Sequence, residues 1–345
     1  MDKENLLNLL RQIKYPGFSR DIVSFGVVKD CEVSGRNVKI TLAFTTEPAE
    51  KRASIQKEAA DKLKTAAGLD QIKFEIVENP IRPSADRAAL EAKPVAGVKN
   101  IIAVASGKGG VGKSTVAVNL ACSLAKLGRK IGLLDADIYG PSIPLMMGVF
   151  DKPEAAEGNK LVPHERHGVK MMSIGFFVDG NNPVIWRGPM VTGAIRQLLF
   201  DTLWGDLDFL VVDLPPGTGD AQLSLVQLVS IKGAVIVTTP QDVALIDAVK
   251  GIVMFQRLSV PILGIIENMS VFVCPHCHQK TDIFSEGGAR REAERSNVPF
   301  LGQIPIEPSI RKGGDEGVPV VVRYPDSFVA QAFDEISRQV CRVLG

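Results

Sequence analysis

Cysteine is scarce in this chain, and that scarcity removes a class of folds. Five cysteines in 345 residues are too few to staple a disulfide framework, and an odd number argues further against one, so reduced thiols and a cytoplasmic setting are expected. Excess charge is lacking as well. Forty basic against 39 acidic residues leave a net charge of +1, which sets aside nucleic acid and anionic membranes as dominant partners. No apolar run reaches the length of a membrane span, and Met1-Asp-Lys-Glu-Asn5 opens an amphipathic stretch where a signal peptide would turn apolar, so no membrane partner is expected. Internal repeats and low-complexity tracts are absent.

Apolar residues are plentiful instead. They make up 45% of the chain, enough to core one large α/β domain and a smaller companion. The most specific stretch is Ser106-Gly-Lys-Gly-Gly-Val-Gly-Lys-Ser-Thr115, which satisfies G-x-x-x-x-G-K-[ST] through Gly107, Gly112, Lys113 and Ser114. Asn100 to Ala105 before it reads as a buried parallel strand, and Ser114 to Leu127 after it has the spacing of a helix packed on a sheet. In that context Gly107, Gly109, Gly110, Val111, Gly112 and Thr115 belong to a polyphosphate cradle, whose backbone N–H groups point inward beside a helix N-terminus. Lys113 is expected to reach the β and γ phosphates and Ser114 to hold Mg²⁺.

Taken in order, the chain predicts a small α-β-β-α-β module over residues 1–78. A helix is expected from Glu4 to Ile13, strands from Ile22 to Val33 and from Asn37 to Thr45 around a Ser34-Gly35-Arg36 turn, a helix from Ala53 to Ala67 and a strand from Gln71 to Val77. Residues 79–97, with Pro80, Pro83, Pro94 and Gly97, read as a linker that leaves room for a short helix from Ala85 to Ala92. Over 98–345, strand-like runs alternate with helical ones, the pattern of a phosphate-loop α/β domain: a mostly parallel sheet with helices on both faces. The expected strands are Ile101–Ala105, Ile131–Asp135, Lys170–Ser173, Phe209–Asp213, Ala234–Thr238, Ile262–Glu267 and Phe300–Ile304, and a helix from Ser327 to Val343 follows.

Asp213 ends one of these strands, where an acidic residue would hold the magnesium shell, and Leu214-Pro-Pro-Gly-Thr-Gly-Asp220 after it suits a loop that senses the γ phosphate. Asp135 and Asp137 lie at the same ligand-binding edge, either to cap the next turn or to orient the attacking water; Asp137, further out, is the better candidate for the water. Lys108 is a second loop lysine that the general pattern does not require. With it, residues 107–115 resemble the deviant phosphate-loop ATPases, the group of MinD, ParA and the nitrogenase iron protein. That resemblance implies a homodimer in which Lys108 reaches the partner's nucleotide and neutralises transition-state charge.

Cys274-Pro-His-Cys277 is compatible with a redox dithiol, half of a zinc site or two ligands of an iron–sulfur cluster. Cys31, Cys122 and Cys341 are unpaired in sequence and read as small hydrophobes, while His276 and His278 read as turn residues. A four-cysteine zinc site or a [4Fe–4S] cluster needs four thiolates, which two copies of this pair would supply on a two-fold axis.

Residues 98–345 as a whole resemble the Mrp (ApbC) family of iron–sulfur carrier ATPases. The matching strings are residues 107–115, Leu134-Asp-Ala-Asp-Ile-Tyr-Gly-Pro-Ser142, Trp186-Arg-Gly-Pro-Met190, Asp213 to Asp220, Glu267-Asn-Met-Ser270 and Cys274 to Cys277. The resemblance implies ATP as the nucleotide, Asn268 bonded to its adenine, Asp137 acting on the water, and Cys274 with Cys277 bridging a [4Fe–4S] cluster between protomers for delivery to recipient apoproteins, alongside assembly factors. The first module resembles the iron–sulfur assembly domain found at the N-terminus of many such proteins. Relatives there often show Thr-x-Pro-x-Cys-Pro; this chain has Thr46-Glu-Pro-Ala-Glu50-Lys51, so an interaction module without thiol chemistry is expected. The competing expectations are a MinD/ParA-type positioning ATPase and a zinc-bridged dimeric scaffold.

Overall fold

Buried strands meeting helices at one sheet edge organise the larger part of the chain. The computed structural model describes residues 3–13, 21–23, 27–34, 37–44, 49–67, 71–78, 93–177, 188–274, 277, 279–285 and 287–344. The chain divides into two units, Met1–Ala89 and Leu90–Gly345.

The first unit contains α1 (Lys3–Leu10), β1 (Val28–Ser34), β2 (Asn37–Phe44), α2 (Ala49–Ala67) and β3 (Gln71–Glu78). β1 and β2 are antiparallel and β3 lies parallel to β2. Its core follows the two periodicities of the sequence: Val38, Ile40 and Leu42 alternate on β2, while Ile55, Ala59 and Leu63 recur every fourth residue on α2, and all are buried. The expected strand from Ile22 begins only at Val28. Ile22 and Val23 form a turn, held by the Ile22 N–H donating to the Ile13 carbonyl (2.9 Å).

The second unit opens with β4 (Val98–Ala105), α3 (Lys113–Lys126), β5 (Ile131–Asp135) and α4 (Ile143–Met147). Four short strands follow the first turn of this layer: β6 (Ala155–Ala156), β7 (Lys160–Leu161), β8 (His164–Arg166) and the longer β9 (Val169–Ser173). Next come α5 (Gly188–Phe200), β10 (Leu207–Asp213), α6 (Asp220–Leu228), β11 (Ile231–Thr238) and α7 (Asp242–Arg257). The remainder is β12 (Ile262–Val273), β13 (Lys280–Thr281), α8 (Gly288–Arg295), β14 (Phe300–Ile306), α9 (Pro308–Asp315), α10 (Val320–Arg323) and α11 (Phe328–Leu344).

Seven parallel strands lie in the order β14-β12-β11-β4-β10-β5-β9. β8 runs antiparallel beyond β9 with Glu165 and Arg166 exposed, β13 pairs antiparallel with the far end of β12, and β14 carries Pro305. α3 and α11 pack on each other and on the sheet, and α7 and α8 pack together against β11 and β12. β10, in the middle, is buried throughout apart from Asp208, as a strand covered on both faces must be.

All seven strands expected in this unit are present. One of them, β12, runs on past its expected end at Glu267 through Asn268-Met-Ser270, whose composition is that of a turn. Met269 sits there at φ 54°, and pairing with β14 slips between Asn268 and Phe272, so the chain makes a bulge and then resumes as strand. Of the expected linker, residues 79–92 lie outside the described residues. Lys93 to Gly97 pack on the larger unit: Lys93 bridges Val229, Val95 is buried, and a side chain at Gly97 would strike the Gly205 carbonyl at 2.2 Å.

Candidate functional site

The phosphate loop joins β4 to α3, and its glycines are fixed by space and by backbone sign. Gly110 and Gly112 take φ 83° and 81°, the left-handed region where a Cβ is strained, and Gly112 is the residue that caps α3. A Cβ on Gly107 would lie 2.1 Å from the backbone of Asp247 in α7, so the loop starts wedged against that helix. A Cβ on Gly112 would lie 2.2 Å from Asn268 Nδ2, and that same amide donates to the Val111 carbonyl at 2.8 Å.

The side chains of α3's first turn converge on Asp213 at the end of β10. Lys113 Nζ is 2.6 Å from Asp213 Oδ1 and 3.5 Å from Asp137 Oδ2, and the Ser114 hydroxyl donates to Asp213 Oδ2 at 2.5 Å. Lys113, Asp213 and Asp137 are all buried. Thus Lys113, Ser114, Asp137 and Asp213, expected from three separate stretches of sequence, form one cluster. Lys108 is half-buried beside it, with its carbonyl accepting from the Ser106 hydroxyl at 2.9 Å.

The structure separates the two aspartates of the β5 edge by role. Asp135 is wholly buried and accepts from the Ser173 hydroxyl (2.8 Å) and the N–H groups of Asp137 (3.1 Å) and Ile143 (3.2 Å), so it braces the turn. Burial, with the nearby Asp213 charge, pushes its pKa up to about 7. Asp137 spends one oxygen on the Tyr139 N–H and turns the other toward Lys113. Burial also pushes the Asp213 carboxyl above the usual range, against the opposing pull of Lys113 and Ser114. Asp213 and Asp137 flank one ammonium, and the donors at Ser114 and Asp213 are all oxygens, a set that suits a hard divalent cation such as Mg²⁺.

The loop after β10 is held from a position that the sequence did not single out. Gln222, 1% exposed on α6, donates Nε2 to the Pro215 carbonyl at 2.5 Å, fixing the stiff half of Leu214 to Asp220. The donor of that bond is a helix residue seven positions on, so only the folded geometry reveals it.

Cys274 and Cys277 are placed elsewhere, on the loop that joins β12 to β13. Phe272 and Val273 pair with Thr281 and Lys280, and the Cys274 N–H closes the tip on the Gln279 carbonyl at 3.0 Å. Cys274 is half-buried and Cys277 exposed. Cys31 and Cys122 are buried and Cys341 half-buried, as their reading as small hydrophobes required, and burial raises the Cys122 thiol to about 12. Among the described residues no group of three or more His, Cys, Asp or Glu side chains is arranged to hold a metal. His276 and His278 lie outside the described residues, as do Trp186 and Arg187. Among the described residues no helix is long and apolar enough to cross a membrane.

Comparison with known proteins agrees with this fold. The model of the NUBPL iron-transfer P-loop NTPase family, of ParA type, matches residues 97–341, and that of an iron–sulfur cluster assembly protein family matches residues 3–74. An iron–sulfur cluster carrier protein of Synechocystis sp. is 45% identical over 341 residues, 97% of this chain and 96% of the relative. An Arabidopsis thaliana iron–sulfur protein required for mitochondrial NADH dehydrogenase is 57% identical over 249 residues, 72% of this chain and 80% of the relative. Among solved structures, an Archaeoglobus fulgidus nucleotide-binding protein in complex with ADP is 42% identical, with a TM-score of 0.58 over 65% of this chain and 88% of that one. The Pyrococcus furiosus cell division ATPase MinD is 26% identical, with a TM-score of 0.56 over 71% of this chain and 99% of that one. The fold, the phosphate loop and these likenesses together show that the chain belongs to the family of NUBPL-type iron-transfer P-loop NTPases.

Proposed function

We propose that the protein is a cytoplasmic ATPase that holds a [4Fe–4S] cluster between the Cys274 and Cys277 pairs of two protomers and delivers it to recipient apoproteins. The observation that carries this reading is the pairing, within one unit, of a phosphate loop built around Lys113, Ser114 and Asp213 with two accessible thiols at a hairpin tip. Gly107, Gly109, Gly110, Val111, Gly112 and Thr115 line the polyphosphate, Lys113 neutralises it, and Ser114 with Asp213 holds Mg²⁺. Asp137 orients the attacking water. Lys108 acts across the dimer, and Asn268 contacts the adenine with the part of its amide not given to Val111.

Two thiolates per chain are half of the four that such a cluster needs, which favours the homodimer. Exposure suits a cargo that must leave. The first unit, without a cysteine at Glu50, serves recipient proteins or assembly factors as an interaction module.

A surface-cycling ATPase would need a free amphipathic helix. The long last helix α11 instead buries Val329, Phe333, Ile336 and Val340 in the core. Metal and sulfide analysis tests the carrier reading directly. Anaerobic reconstitution is expected to give about four iron and four sulfide per dimer, lost in Cys274→Ala; zinc alone, held equally well in air, would overturn it. Hydrolysis of ATP is expected to fall by about 10²-fold or more in Lys113→Ala, as when one preorganised charge-stabilising donor is removed.

A further inference from the structure

Two neighbouring residues of β12 reach in different directions, as successive side chains of a strand do. Asn268 holds the phosphate loop through the Val111 carbonyl at 2.8 Å. Glu267, wholly buried, holds the far end of the cysteine-bearing excursion: Oε2 accepts from the Ala289 N–H at 2.7 Å, and Oε1 accepts from the Gly287 N–H at 3.3 Å and from Gln303 Nε2 at 2.9 Å. Gly287 and Ala289 lie at the first turn of α8, the first helix after Cys274 and Cys277.

The strand itself is stiff on one side of this pair and loosened on the other. Glu267 pairs with both Thr238 of β11 and Gln303 of β14, and Asn268 pairs with Ile304. Regular pairing with β14 then lapses until Phe272, across the left-handed Met269, with the Ser270 hydroxyl bonded to the Ile304 carbonyl at 3.1 Å. Cys274 follows six residues after Asn268, no more than about 20 Å of extended chain. No slack separates Asn268 from the loop, because a single added carbon on Gly112 would lie 2.2 Å from its amide.

We propose that Glu267 and Asn268 are positioning residues that convey nucleotide occupancy of the phosphate loop to Cys274 and Cys277. The inference rests on the reading of the chain as a nucleotide-dependent carrier and names how its two sites communicate. A nucleotide that draws the Val111–Gly112 peptide toward its phosphates alters the Asn268 bond. The ladder carries that displacement to Glu267 and the α8 terminus, while the bulge at Met269 lets the cysteine hairpin follow separately. A ligand shifts a conformation only by the contacts it changes, and the Asn268 bond is such a contact.

The test uses the full chain, reduced and stripped of metal, so that it does not depend on cluster binding. Alkylation of each cysteine by N-ethylmaleimide is followed by peptide mass spectrometry with and without saturating Mg·ADP, with Cys341 as internal reference. Nucleotide is expected to change the rates at Cys274 and Cys277 by about fivefold or more, the lower end of ordinary coupling between sites. Glu267→Gln is expected to bind Mg·ADP as the unaltered chain does while losing that change. Rates that ignore nucleotide in the unaltered chain, or a full response retained in Glu267→Gln, would overturn the inference. Should that variant fail to fold, amide exchange on the unaltered chain decides: Mg·ADP must change protection at Gly287 and Ala289 as well as at Val111, and protection confined to the phosphate loop rejects the proposal. Absence of iron and sulfide would count against the carrier reading and leave these thiol rates unaffected.

Discussion

Lys113 shows how much chemistry one position can concentrate. Its ammonium lies between Asp213 and Asp137, so a phosphate that it reaches competes with carboxylates already bound to it. Asp135, next to this cluster, carries a pH signature. Its carboxyl binds a proton up to about pH 7 when folded, above the ordinary carboxylate value, so the folded state holds more protons than the unfolded one across that window. The stability that Asp135 contributes to the larger unit therefore falls as pH rises from about 4 to about 7. Urea unfolding at the two ends of the window should show a smaller difference in Asp135→Asn; the slope is reduced and not abolished, because Asp213 is pushed the same way. Gly112→Ala should be severe in a different manner. A left-handed φ of 81° and a contact of 2.2 Å with Asn268 predict a loss of about 1–3 kcal/mol and weak binding in a fluorescent-ADP titration. These glycines were legible in the sequence because their requirement is local. Capping of the next turn was one of the two roles the sequence offered for Asp135; its hydroxyl donor, Ser173, 38 residues away, was not legible.

Helix ends repeat one solution at the scale of the element. After α3, α7 and α8 the chain turns through a left-handed residue, Gly128, Ser259 and Asn297 respectively, and the next N–H returns to a carbonyl five residues back: Arg129 to Leu124, Val260 to Phe255 and Val298 to Ala293. Glycine takes this conformation without steric cost, and asparagine tolerates it. Ser259 does not share either advantage, so Ser259→Gly should raise stability by about 1 kcal/mol and Gly128→Ala should lower it by a similar amount, read as shifts in the urea midpoint. The long strands were readable as apolar runs. β6, β7, β8 and β13 were not, because two or three residues carry no periodicity to detect. The course of β12 through Met269 was equally hidden: Asn268-Met-Ser270 has the composition of a turn, and only its pairing with β14 makes it a bulge.

The whole molecule supplies the test of whether two copies share a site. If Lys108 serves the partner's nucleotide, Lys108→Ala and Lys113→Ala protomers should each be inactive alone. Mixed in equal amounts, they should recover about a quarter of the unaltered ATPase rate, because half the dimers are mixed and each of those has one complete site. No recovery after verified exchange would place Lys108 in its own chain's site. The α/β architecture of the larger unit followed from its alternating runs, while the divided roles of Glu267 depended on amides 20 and 22 residues further along.

The margins of the large sheet have a consequence for how copies can meet. One margin is the three-residue β8, with Glu165 and Arg166 turned to solvent; the other is β14, where Pro305 has no N–H to offer. Neither is a template for adding a strand from another molecule, and short, charged or proline-bearing margins are what discourage ribbon-like aggregation. If two copies share a cluster as proposed, they are thereby kept from the one mode of contact, continuous backbone pairing into open-ended fibres, that would be hard to reverse.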